Sequence, residues 1–134
     1  MPDNPKILLM NYRIEQAREC LVSAERELNA RSYKAAVNRS YYCIFHCMRA
    51  ILALDSFDSK KHSGIISVFR QRYIKTGIFA TELSDIIEGA FQARGSSDYE
   101  DFFVISKDDV IQQIENAKTF ISKIEAYIMT LAEA

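Results

Sequence analysis

"NRSYYCIFHCMRA", residues 38–50, decides the fold. It holds no proline or glycine, and its apolar side chains recur on every side of a helix. Extended from about Tyr33 to Leu54, the helix carries Val37, Tyr41, Ile44, Met48 and Ile51 on one stripe. Ala35, Tyr42, Phe45 and Leu52 make a second, and Ala36, Cys43, Cys47 and Ala50 a third. A helix apolar nearly all round is buried on several sides, by its own domain or by a partner. Arg39, His46 and Arg49 stand out against this background.

Working outward, the pattern stays helical. Ile14, Ala17, Leu21, Ala24 and Leu28 recur at spacings of three and four and predict a first helix over 7–29. Arg13, Glu15, Arg18, Glu19, Glu25 and Arg26 fill its other faces, and Ser32 is the expected N-cap of the central helix. "DSFDSKKHSG" (55–64) breaks the pattern, so 55–61 is expected to be loop. Ile65, Ile66, Phe69 and Tyr73 predict a short helix over 62–75, with Gly77 as its stop. Leu83, Ile86, Ile87, Ala90 and Phe91 predict another over 81–94, ending near Gly95. A connector with aromatic anchors follows. Ser106-x-x-Asp109 then opens a last helix whose seam is Val110, Ile114, Ala117, Ile121, Ile124, Ile128 and Leu131. The expected architecture is all-α, an up-and-down bundle of about five helices in one domain over 1–134, with 1–6 flexible.

Composition narrows the functional classes. The chain has 134 residues, 49% of them hydrophobic and 26% charged, enough for a core without staples. Its net charge is −1 and its pI near 6.1. Binding to nucleic acid by bulk charge is therefore disfavoured, and DNA is not an expected partner. A local phosphate site remains open. Cys20, Cys43 and Cys47 lack a zinc spacing. Cys43 and Cys47, one turn apart, suit small buried groups better than a disulfide. An odd cysteine count fits a reducing cytoplasm. No apolar run reaches the roughly 18 residues of a membrane span, so no membrane association is expected.

The chemistry lies on the central helix. Arg39 and His46 are seven residues apart, two turns along one azimuth, with Asn38 and Arg49 flanking and Tyr42 and Cys43 between. Two readings stand side by side. In the first, Arg39 pairs with a carboxylate such as Glu15, Glu19 or Asp98, and His46 is a satisfied buried group. In the second, arginine's fork holds phosphate oxygens and histidine moves a proton near neutral pH. That pair can cleave RNA through its own 2′-hydroxyl, with neither cofactor nor metal. HExxH, CxxC, GxGxxG, Walker A and GxSxG patterns are all absent. Lys60, Lys61, Arg70, Arg72 and Lys75 could offer a basic patch, although a solvated face is the commoner fate of such charges. Tyr42 could stack a base. His62 is expected to cap a helix or face solvent, and Arg94 and Asp98 to pair and pin the connector.

"AVNRSYYCIFHCMRAIL" (36–52) resembles the core signature of HEPN domains, an Arg and a His on one helix with four to six residues between them, here the six from Ser40 to Phe45. "KKHSGIISVFRQRYIKTG" (60–77), "ARGSSDYEDFFVISKDDV" (93–110) and "AKTFISKIEAY" (117–127) are similar, in order, to a single-domain prokaryotic subgroup of that family. The resemblance covers about residues 8–130. It implies a helical bundle that dimerises, with Arg39 and His46 as catalytic residues of a metal-independent endoribonuclease. It further implies a toxin paired with a minimal nucleotidyltransferase antitoxin. The alternative it carries is a non-catalytic module that binds a nucleotide or docks such a partner. Asn38 or Ser40 would be the neighbouring polar residue, and Tyr42, Arg49 and His62 further substrate contacts. Met48 stands where some members carry a tyrosine that receives AMP.

Overall fold

The computed structural model describes residues 4–133. Five α-helices follow in order: α1 (Pro5–Asn29), α2 (Tyr33–Ala53), α3 (His62–Phe69), α4 (Glu82–Tyr99) and α5 (Lys107–Glu133). No strand occurs among the described residues, and the all-α expectation holds.

α1 starts earlier than its apolar spacing suggests. Asn4 accepts a hydrogen bond from the Lys6 amide, and Pro5 takes the first helical turn, where a missing N–H costs nothing. Of the stretch expected to be flexible, residues 5 and 6 are therefore helical, and 1–3 lie outside the described residues. α1 closes with Arg31 at φ +62° and the Ser32 amide bonded back to the Glu27 carbonyl at 2.8 Å, a left-handed stop of the type glycine usually supplies. The Ser32 hydroxyl makes no capping bond, contrary to expectation. At φ −91° and ψ 75°, its backbone departs from the extended conformation that aims a capping side chain at the first turn.

α2 is the central element. Thirteen of its 21 residues are buried, and it packs on α1, α3, α4 and α5. Tyr41, Ile44, Met48, Ile51 and Leu52 lose essentially all solvent contact, at about 1.5–3 kcal/mol for each such side chain removed from water. Cys20, Cys43 and Cys47 are free and buried, as small apolar residues would be. Burial pushes the Cys20 and Cys47 thiols above their ordinary pKa, which leaves little reactive thiolate.

α3 continues into a single π-helical turn, Arg70–Ile74, closed by the Lys75 amide on the Arg70 carbonyl. The wider turn brings the consecutive residues Tyr73 and Ile74 both into the core. Gly77 then turns the chain at φ +84°, a conformation that costs glycine least. Phe69 is the hub here: its ring meets those of Tyr73, Phe79 and Phe120 at 5.6, 5.7 and 6.0 Å.

Two boundaries differ from the sequence reading. α4 does not stop at Gly95 but runs one turn further, to Tyr99. One interior glycine costs only about 1 kcal/mol. Burial of Ser97 and an i,i+4 ion pair between Arg94 and Asp98 lie in the added turn. The Ser106 hydroxyl accepts the Asp109 amide and caps α5 as expected. The α5 seam is buried from Val110 to Ile124, is half-buried at Ile128, and ends exposed at Leu131. No helix among the described residues is long and apolar enough to cross a membrane.

Candidate functional site

Tyr42 organises the polar face of α2. Arg39 lies over its ring at 5.2 Å and Arg94 of α4 at 5.7 Å. The His46 ring is 6.0 Å away on the next turn, and His62 meets Tyr42 edge-on at 5.8 Å. Seven-residue spacing thus puts Arg39 and His46 on one stripe, with Tyr42 between. Two guanidiniums already contact the ring that sequence reading offered to a base.

Arg39 has none of the carboxylate partners that the structural reading requires. Its guanidinium donates to the Asn38 side-chain oxygen. Asp98 pairs with Arg94, and Glu15 with Arg18. Arg39 is half-buried and makes no salt bridge among the described residues. His46 is similarly unengaged: its Nδ1 is buried with no hydrogen-bond partner.

The other expected residues divide. Arg49 is committed: its Nε and Nη2 donate to the two oxygens of Asp58 at 3.1 and 2.7 Å, a bidentate pair. Asp58 comes from the loop that follows α2. Ser40 faces inward and donates to the Ala36 carbonyl at 2.9 Å, which leaves no exposed atom for a substrate. His62 makes no side-chain cap and is half-buried. Its ring stacks on Phe45 at 4.1 Å, and its Nδ1 is 2.7 Å from the Tyr41 hydroxyl. The start of α3 therefore adjoins the α2 stripe. Arg94 Nε stands 2.9 Å from Asp98, without the alignment of a hydrogen bond. Both residues lie on α4, so the pair stiffens that helix and does not pin a connector. The suggested basic patch is dispersed: Arg70 is tied to Ser84 and Glu88, and Arg72 approaches Asp55.

Sequence reading missed Arg13. It is 7% exposed and donates to the Arg49 carbonyl at 3.0 Å and to Asp58 at 3.3 Å. The signal was present, since Arg13 precedes Ala17, Cys20 and Ala24 by steps of four, three and four, on the buried side of α1.

Three arginines thus act on one imidazole. Burial first, then the charges of Arg49, Arg39, Arg13 and His62, push the His46 pKa down to about 4. The ring is neutral at pH 7, the form that accepts a proton. His62 is lowered too, by burial and then by Arg94 and Arg49. The sign for stability follows. Below about pH 6.5 an unfolded histidine binds a proton that folded His46 refuses. Stability is therefore full above pH 6.5 and falls as pH drops toward 4, by about 3 kcal/mol at most for His46. Asp58, held low chiefly by its hydrogen bond from Arg49, loses its contribution only further down, through the carboxylate range. Urea unfolding at pH 7 and pH 4.5 should show this loss, and His46→Gln should remove about half of it or more. An unchanged difference in the variant would assign the acid sensitivity elsewhere.

Among the described residues, no group of three or more His, Cys, Asp or Glu side chains is placed to hold a metal ion.

The profile of the HEPN domain family matches residues 10–127. A protein of Methanocaldococcus jannaschii named "Putative toxin MJ0142" is 30% identical over 131 residues, covering 93% of this chain and 89% of its own. A "UPF0332 protein" of Thermotoga maritima is 32% identical over 131 residues, covering 98% and 99%. A second Methanocaldococcus jannaschii protein, "Putative toxin MJ0605", is 34% identical over 86 residues, 64% of each chain.

Proposed function

Since the chain belongs to the HEPN domain family, we propose that it is a toxin-like endoribonuclease that cleaves RNA without a metal ion, with Arg39 and His46 as its catalytic residues. One observation carries this reading. Arg39 and His46 share a stripe, and neither is tied off by a structural partner: the arginine has no carboxylate and the buried imidazole nitrogen no hydrogen bond. Groups present only to hold a fold together are normally satisfied.

The step balances without a co-reactant. Neutral His46 takes the proton of a ribose 2′-hydroxyl, and that oxygen attacks the adjacent phosphorus. The bond from phosphorus to the 5′-oxygen of the next nucleotide breaks, that oxygen takes a proton from solvent, and the protonated His46 releases its own to solvent, so no proton is gained or lost. The products are a 2′,3′-cyclic phosphate and a 5′-hydroxyl end. Arg39, charged at every relevant pH, holds the phosphorane oxygens, where the charge develops. Binding the phosphate also offsets the positive field that depresses the His46 pKa, so the imidazole becomes a better base once substrate is in place.

The same reading takes the protein as a homodimer that brings two such stripes to one cleft, with a nucleotidyltransferase as its antitoxin. The toxin names of the two Methanocaldococcus proteins support the toxin part of this reading. With Met48 buried two residues after His46, attachment of AMP at that position is not part of the proposal.

Purified protein, freed of any partner, should cut single-stranded RNA at an undiminished rate in excess chelator and leave cyclic-phosphate ends. Absence of cutting, or loss of it on chelation, would overturn the proposal.

A further inference from the structure

Beside Arg39, a polar cleft of about 510 Å³ opens between α1, α2 and α4. Glu27, Lys34, Asn38, Arg39, Ser97 and Asp98 line it. Ser97 sits in the extra turn of α4 that runs past Gly95, and it is 5% exposed. Its hydroxyl oxygen is buried with no hydrogen-bond partner. A serine in a helix can usually satisfy itself on the carbonyl four residues back, as Ser40 does; Ser97 does not. A buried hydroxyl without a partner costs about 1–3 kcal/mol, so its place at the wall of a polar cleft points to a ligand.

The other lining groups say which ligand. The Glu27 carboxylate and the Lys34 ammonium make no salt bridge among the described residues, so each is available. Ala35 is the one apolar residue in the lining, and no aromatic ring is there. Such a site offers nothing for a base to stack on, but it offers acceptors and donors to a sugar and cations to a phosphate. A carboxylate that accepts from a ribose hydroxyl is a recurring solution in nucleotide-binding folds. The 2′-hydroxyl, both donor and acceptor, is the group by which proteins tell RNA from DNA.

We propose that the cleft bounded by Glu27, Lys34 and Ser97 is a ribose-phosphate subsite for the nucleotide on the 5′-oxygen side of the cut, in which Ser97 and Glu27 bind its ribose 2′-hydroxyl and Lys34 with Arg39 binds its 5′-phosphate. The subsite rests on the ribonuclease reading for its place on the substrate, since Arg39 is shared between the two. It adds discrimination by sugar, which the Arg39–His46 pair alone does not supply to binding.

The test measures binding, not cleavage. Adenosine 5′-monophosphate, 2′-deoxyadenosine 5′-monophosphate and inorganic phosphate are titrated into the intact protein, followed by calorimetry and by amide shifts of residues 27, 34 and 97. The ribonucleotide should bind about tenfold more tightly than its deoxy counterpart, the worth of one or two hydrogen bonds. Ser97→Ala and Glu27→Gln should each erase that preference while phosphate still binds. Ser97→Ala removes an unsatisfied group, so its unfolding midpoint should be unchanged or raised, and a lost preference cannot be ascribed to misfolding. Equal affinity for the two nucleotides, equal affinity for phosphate alone, or a preference that survives both substitutions would overturn the subsite. A protein that shows the preference but cuts no RNA would overturn the ribonuclease reading and leave the subsite standing.

Discussion

Arg39→Ala and His46→Ala should each lower the rate of RNA cleavage by about 10²–10⁴-fold, the usual worth of a positioned proton carrier or of a charge at the transition state. Neither should unfold the protein. Arg39 gives up hydrogen bonds to its own neighbour Asn38 and a cation–π contact with Tyr42, about 1 kcal/mol in sum for such part-exposed contacts. His46 gives up no hydrogen bond through its buried nitrogen. This asymmetry separates the two readings of the stripe. A structural pair would show a large loss of stability and have no activity to lose, whereas the proposed pair shows the reverse. Initial rates on a labelled RNA, together with unfolding midpoints and the mass of the assembly in solution, decide the matter. Full cleavage by either variant would remove that residue from the mechanism.

Phe69→Ala should be the most damaging single truncation in the core, at about 3–5 kcal/mol. The ring is fully buried, and it joins the π turn, the segment after Gly77 and α5 through Tyr73, Phe79 and Phe120. Elements from three parts of the chain surround the hole, so it cannot close by a small shift of one of them. A domain of this size has about 5–15 kcal/mol in total, and the variant would be close to unfolding at moderate temperature. Denaturant midpoints measure the loss, and a value under about 1 kcal/mol would mean that the surrounding rings repack freely. Because α3 also carries His62, partial unfolding here should disturb the aromatic stack beside the site before α1 and α2 separate.

Most of the architecture could be read from periodicity, because α1, α2 and α5 are long and their apolar spacing is regular. What failed was local. Gly95 looked like a helix end because glycine so often is one, yet an interior glycine costs only about 1 kcal/mol, and the Arg94–Asp98 pair spans it as α4 continues to Tyr99. Ser32 looked like a cap because of its type, and spacing says nothing about the backbone angles that follow a left-handed turn. For the site, the interval from Arg39 to His46 was fully legible, since a helix converts interval into azimuth. Its surroundings were not. Asp58, Arg13, His62 and Arg94 reach the α2 face from a loop and three other helices, and pairings between distant segments leave no periodic trace. Arg13 was the nearest to legible, as a charge in register with the small buried residues of α1. Ser97 had no signal at all, because an unpartnered hydroxyl is defined only by what fails to surround it.

Arg39 and His46 stand on the one helix that every other helix grips. Their separation is therefore set by the core, and it cannot be adjusted without unpacking it. A site of this kind has little room for induced fit in its central pair. Adaptation must come from what borders it: the 54–61 segment that delivers Asp58, the last turn of α4, and whatever surface is brought against them. If the ribonuclease proposal holds, divergence among related chains would concentrate in that periphery, altering which RNA is admitted while the Arg39–His46 pair keeps its spacing.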